Sequence, residues 1–223
     1  MNIFRNRAEA AKQLVHKLSE YRGLNPIILA IPRGAVPIAQ ILAQKLRGQL
    51  DVVLVHKIGA PGNPEFAIGA VTESGEVLLG EQADYFSISR EYIEDAAKEE
   101  LRKLKARRKL YSPYAATTSC RDRIVILVDD GIATGETMLA AVKAIRAENP
   151  NEIVVAAPVA SPSAFARLER VADKMAVVEV PPELHSVGQF YINFPQITDE
   201  EVVQILAHSQ EEDVSAVKEA RHR

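Results

Sequence analysis

The chain has 223 residues, with 27 Lys plus Arg against 30 Asp plus Glu, a formal net charge of −3, and 47% hydrophobic and 26% charged residues. That balance excludes wholesale disorder and collagen-like or low-complexity architectures, and gives no global sign of a nucleic-acid coat. One cysteine, Cys120, excludes an intrachain disulfide and a Cys-pair zinc site and suits a reducing compartment. No N-terminal apolar run resembles a signal peptide, and nothing approaches the roughly 20 apolar residues that cross a bilayer, so a cytoplasmic protein without membrane contact is expected.

In chain order, Ala11, Leu14, Val15 and Leu18 have the spacing of a helix buried on one face, over about residues 6–21. A continuous apolar run, Ile27 to Ile31, then predicts a strand, PRGAVP a loop, and Ile38, Ala39, Ile41, Leu42 and Leu46 a second helix. Val52 to Val55 reads as the next strand, completing a βαβ unit. IGAPGNPE follows, too rich in Gly and Pro for a regular element and therefore expected as a surface loop. AIGAVTESGEVLL predicts a hairpin turning at Glu73–Ser74–Gly75, and Ser89 to Tyr111 a long helix with i,i+4 ion pairs.

IVILV (124–128) is another buried strand, ending in DDGIATGET and a helix through Met138, Ala141, Val142 and Ile145. Strand 153–160, a helix near 162–172 and strand 175–180 repeat the alternation. The fold class expected is α/β: an open, mostly parallel, helix-covered sheet, with a hairpin and long-helix insertion and a small C-terminal cap. The expected organisation is one domain over 1–208, with a core of about 24–180 and a cap of about 181–208 joined by the N-terminal helix. The last helix is expected near 199–208, and the polar segment 209–223 has little to bury and reads as a disordered tail.

Open parallel sheets bind ligands beyond the carboxyl ends of their strands. Asp129 and Asp130 stand at such an end, and Gly131, Ile132, Ala133, Thr134, Gly135, Glu136 and Thr137 lead from them into a helix. Two glycines, two hydroxyls and free helix N-terminal amides suit a phosphate monoester. Adjacent carboxylates suit a vicinal diol. The expected ligand is a ribose 5-phosphate group; the alternative is a helix cap and a glycine-shaped turn without a ligand. At the end of the first strand, Arg33 beside Gly34 makes a diphosphate clamp or simply an exposed arginine at a helix-opening turn. Lys57, ending the second strand, offers an ammonium from the opposite side or is an ordinary surface lysine.

VILVDDGIATGET closely resembles the 5-phosphoribosyl pyrophosphate (PRPP) signature of type I phosphoribosyltransferases, and PRGAVP resembles that family's pyrophosphate loop. The resemblance covers roughly residues 3–208. It implies that Asp129 and Asp130 hold the ribose hydroxyls, that 131–137 hold the 5′-phosphate, and that Arg33, Gly34 and Lys57 hold the leaving pyrophosphate. It further implies a cis peptide in the Arg33 loop, Mg²⁺ carried with PRPP, and an unidentified nitrogenous acceptor, a nucleobase or related compound. KIGAPGNPEFAIGAV looks like a signature of one bacterial branch of the family, with Glu65, Ala67 and Gly69 as motif positions.

Two stretches depart from the pattern: SPYAATTSCRDR stands where Arg and Gly are expected, with Arg121 and Arg123 as substitutes, and Leu184 stands where an aromatic is expected. His185, Val187, Phe190 and Tyr191, with Phe194 nearby, are the candidate acceptor-binding residues, core packing being the alternative for the aromatics. Asp129 and Asp130 are candidate metal contacts through water only. The loops at 59–66 and 112–122 are candidate lids. The basic run RKLKARRK (102–109) suits a helix C-terminus better than a nucleic-acid surface. The residues leave self-association open and allow a rival function, a PRPP-binding regulator without transfer.

Overall fold

A computed structural model describes residues 3–80, 88–114 and 118–220; for Pro64, Glu65, Ala67 and residues 211–220 it describes the backbone alone. Five parallel strands form the central sheet: β1 (Ile27–Ala30), β2 (Gln49–Val52), β6 (Ile124–Val128), β7 (Glu152–Val159) and β8 (Lys174–Glu179), in the order β2-β1-β6-β7-β8. Between β2 and β6 in sequence lies a second, antiparallel sheet of β3 (Val55–Ala60), β4 (Asn63–Thr72) and β5 (Val77–Leu79). β1 and β6 pair in parallel from Ile27↔Val125 to Ala30↔Val128, so both strands end together, at the edge where their loops emerge.

The central strands are apolar without alternation because both faces are covered. Ile28, Ala30, Ile126 and Val128 pack with helices α1 (Arg7–Lys17), α2 (Val36–Leu46) and α6 (Asp199–Ala220). Ile27, Leu29, Val125 and Leu127 pack with α4 (Glu136–Arg146) and α5 (Pro162–Leu168). Helix α3 (Arg90–Tyr111) starts at Ser89, whose hydroxyl accepts from the amide of Tyr92, and buries Ile93, Ala97 and Leu104. A short 3₁₀ turn, Val187–Phe190, leads the cap back to the chain start. There Phe4 donates to Phe190 O at 2.8 Å and accepts from Ile192 at 2.9 Å.

Three expectations are corrected. The second strand is Gln49–Val52, earlier than the apolar run 52–55, which bridges the two sheets instead. The segment expected as a surface loop is a hairpin: β3 and β4 turn at Pro61–Gly62, Gly62 has φ +72°, and register shifts at Ile58–Gly59 and Gly59–Ala60 absorb the irregular sequence. The tail expected as disordered continues α6 to Ala220, in a stretch that draws half its residues from the good helix formers Glu, Ala and Lys. The hairpin turn at Glu73–Ser74–Gly75 forms as expected, with Gly75 at φ +90°.

Candidate active site

The adjoining ends of β1 and β6 bring the Arg33–Gly34 loop and the acidic pair together. The Pro32–Arg33 peptide is cis, and Gly34 lies so near the acidic pair that a Cβ there would stand 1.9 Å from Asp130 Oδ2. Only glycine allows that approach. Asp129 Oδ1 accepts the Asp130 amide at 2.8 Å. Burial raises the pKa of both carboxyls above the ordinary range; the neighbouring Asp130 charge pushes Asp129 further up, whereas Arg7 pulls Asp130 back.

The turn from Gly131 to Gly135 is fastened from below. Ile132 donates to Val159 O at 2.8 Å and accepts from the Ser161 amide at 2.9 Å. Ser161 Oγ donates to Ala133 O at 2.6 Å. Gly135, at φ +79°, precedes α4, and no side chain caps the first turn of that helix among the described residues, so the turn's amides have no built-in side-chain acceptor. Ala133 and Thr134 are exposed and Thr137 is half-buried. Glu136 would repel a phosphate there, but Arg167 pairs with it at 2.7 Å and reaches Thr134 O at 3.4 Å.

Arg7 is the residue that sequence reasoning missed. Its Nε and Nη2 donate to Asp130 Oδ2 at 3.1 and 2.8 Å, its Nη1 donates to Pro195 O at 2.8 Å, and its guanidinium lies 3.9 Å from the centre of the Phe194 ring. The available signal was periodicity: Arg7 precedes Ala10, Ala11 and Leu14 on the buried face of α1. A cavity of ≈ 380 Å³ is lined by Arg7, Arg33, Gly34, Asp130, Val187 and Phe194, closed by 195–197. Arg33 also faces Asp199 at 3.5 Å, a carboxylate that accepts from Tyr111 and lies 3.5 Å from Arg107.

Several candidates fall elsewhere. Lys57 sits in β3 opposite Ala70, in the smaller sheet, and is not among the residues lining the cavity. Phe190 is fully buried with Phe4, Ala10 and Val159, so it is core and contacts no acceptor. Tyr191 supports the site from behind: its hydroxyl donates to Asp130 O at 2.7 Å and its ring stacks on Phe194 at 4.5 Å. His185 is 80% exposed beside Glu183 and lines a separate groove with Glu179 and Val180, so it is not an acceptor contact in this cavity.

Val187 does line the cavity, pressed against Gly131, where a Cβ would stand 2.3 Å from Val187 Cγ1. Arg123 binds Asn25 O and Gln49 at the amino ends of the strands, so it cannot substitute for a contact at their carboxyl ends. Gly69 permits close strand approach, its notional Cβ falling 2.7 Å from Leu78 O. The side chains of Glu65 and Ala67 and residues 115–117 of the second candidate lid lie outside the described residues.

A family model for the phosphoribosyl transferase domain matches residues 1–185. The chain belongs to the phosphoribosyl transferase domain family. The Mycobacterium tuberculosis protein Rv0571c, provisionally named a phosphoribosyl transferase, is 34% identical over 211 residues, covering 92% of this chain and 47% of that one. The chain thus spans about half the length of the curated relatives it matches. The crystal structure of TT1426 from Thermus thermophilus is 42% identical, superimposes with a TM-score of 0.82, and covers 93% of this chain and 99% of that one. Phosphoribosyl transferase membership and the mostly parallel sheet agree with the expectations from the sequence.

Proposed function

We propose that the protein is a pentosyltransferase that displaces pyrophosphate from the anomeric carbon of PRPP by a nitrogenous acceptor. One observation carries the reading: Asp130, the second of two consecutive acids that lead into an uncapped helix, lines a cavity with Arg33 and Gly34 and lies hard against Gly34. Three subsites therefore lie in sequence, for a phosphate monoester, a vicinal diol and a diphosphate. The amides opening α4 bind the 5′-phosphate, with Arg167 offsetting the charge of Glu136. Asp129 and Asp130 accept from the ribose hydroxyls and lie near the positive charge that develops on the sugar as its bond to pyrophosphate breaks. Arg33 binds the departing diphosphate.

Among the described residues, no group of three or more His, Cys, Asp and Glu side chains could hold a metal ion. Asp129 has one oxygen bonded to an amide and Asp130 one bonded to Arg7, which suits a hydrated Mg²⁺ carried by the substrate's own oxygens, not a protein cage. When bound, that ion neutralises charge on the diphosphate. The chain's part is to orient the sugar and hold its two ends apart.

The rival reading, a PRPP-binding regulator, draws on the aromatic residues. Phe190 is buried, and Phe194 carries Arg7 over its ring and Tyr191 stacked on it, so these residues supply no open stacking platform for a base. One assay separates the two. The protein is mixed with Mg²⁺, PRPP and a panel of purines, pyrimidines and other amines while pyrophosphate release is followed. Acceptor-dependent release supports the transferase; saturable PRPP binding with no release from any acceptor supports the regulator; absence of PRPP binding overturns both.

A further inference from the structure

We propose, building on the PRPP reading above, that Arg7 is a positioning residue for sugar recognition, turning Asp130 so that the acidic pair offers one oxygen from each carboxylate to a cis-diol. All three guanidinium nitrogens of Arg7 are committed, two to Asp130 Oδ2 and one to Pro195 O. The residue is only 8% exposed, and Phe194 covers its face. Such a guanidinium has little freedom to rotate, and what it grips is held with it. Asp130 Oδ2 is thereby spent. Asp129 Oδ1 is spent as well, on the amide of Asp130. The hydrogen bonds among the described residues leave Asp130 Oδ1 and Asp129 Oδ2, two acceptors on consecutive residues. A ribose with both its 2- and 3-hydroxyls has two donors to give them, whereas a deoxy sugar has one.

Charge acts in the same direction. The groups facing Asp130 are Asp129 from the end of β6, Arg7 from α1, Arg33 across the cavity and Tyr191 from behind. Two adjacent carboxylates in a half-buried site disfavour joint ionisation, and a protonated carboxyl is a poorer acceptor. Arg7 in direct contact keeps Asp130 in the accepting form. A buried arginine could instead be a staple that merely holds α1 to the cap through Pro195, and the test must tell these roles apart.

The experiment measures, by calorimetry, binding of inorganic phosphate, ribose 5-phosphate and 2-deoxyribose 5-phosphate to the full chain. Phosphate reports the turn alone, and the ratio of the two sugars reports the diol contacts. The wild type is expected to prefer ribose 5-phosphate by on the order of tenfold or more, the range for a hydrogen bond to a charged group. Arg7→Met should bring that ratio close to one while leaving phosphate affinity within about twofold, and Arg7→Lys should retain part of the preference.

As pH falls, the wild-type preference should fade, and in Arg7→Met any residue of it should fade at higher pH, because without the cation Asp130 protonates sooner. A folded Arg7→Met protein that keeps the wild-type ratio overturns the proposal. So does one that loses phosphate and sugar binding together, which is what a staple predicts. If Arg7→Met does not fold, Arg7→Lys decides: a lowered ratio with unchanged phosphate affinity supports the role, and an unchanged ratio overturns it. A wild type that binds neither sugar phosphate more tightly than phosphate removes the PRPP reading and this inference with it.

Discussion

The two acids at the end of β6 differ in what surrounds them, and that difference separates their mutants. Asp130 neutralises the buried Arg7, so Asp130→Asn should weaken PRPP binding by about 1–3 kcal/mol and also lower the melting temperature, since a buried cation left without its partner is costly. Among the described residues Asp129 pairs with no such cation. Its pKa is raised by burial and by the Asp130 charge, so the folded state holds its proton more tightly than the unfolded state does. Stability from this group is therefore complete below the ordinary value of 3.8 and is lost as pH rises through the raised one. Asp129→Asn should accordingly weaken PRPP binding yet raise the melting temperature at neutral pH, and the gain should vanish toward acid. Thermal melts across pH with calorimetry on PRPP check both. The acidic pair was legible because an apolar run stops at it. Arg7 was not, because a charged residue at a helix start reads as solvated until its partner, 123 positions away, is known.

The turn at 131–137 depends on the elements packed beneath it as much as on its own side chains. Ser161 both caps α5, accepting from the Ala164 amide at 3.1 Å, and donates to Ala133 O, so one hydroxyl couples a helix start to the turn. Ser161→Ala should cost about 1 kcal/mol in denaturant unfolding, the usual worth of such a cap, and should also raise the dissociation constant for inorganic phosphate. The cap presses on the same turn from the other side through Val187. Gly131→Ala should destabilise by about 1–3 kcal/mol through overpacking against Val187, and adding Val187→Ala should restore most of the loss. The central strands were readable because burial on both faces leaves runs such as 124–128 without polar interruption. The β3–β4 hairpin was not. Its Gly and Pro content argues for a loop, and only pairing across register shifts with a partner strand overrides that preference.

Across the fold, the cavity is assembled from distant parts of the chain: Arg7 near the start, Arg33 after β1, Asp130 after β6 and the cap at 187–197. Phe4 anchors the first of these to the last, fully buried against the cap and 5.4 Å from the Tyr191 ring. Phe4→Ala should cost about 3–5 kcal/mol, and ribose 5-phosphate should restore less of its melting temperature than it adds to the wild type, because the lost contact frees Arg7 as well. Thermal shift with and without the sugar measures this. A helix near residue 7 and a cap near 190 were legible, but nothing in the sequence shows that they touch, since the Phe4 packing and pairing and the Arg7 hydrogen bonds join residues far apart in the chain.

That link has a consequence for biosynthesis. The carbonyl that Arg7 grips belongs to Pro195, 188 positions downstream. A ribosome must therefore deliver residue 195 before the first helix can close over the cavity. A nascent form that stops before the cap lacks the carbonyl that Arg7 grips and one wall of the cavity, so on the proposed reading sugar-phosphate binding should appear only once the cap has been made.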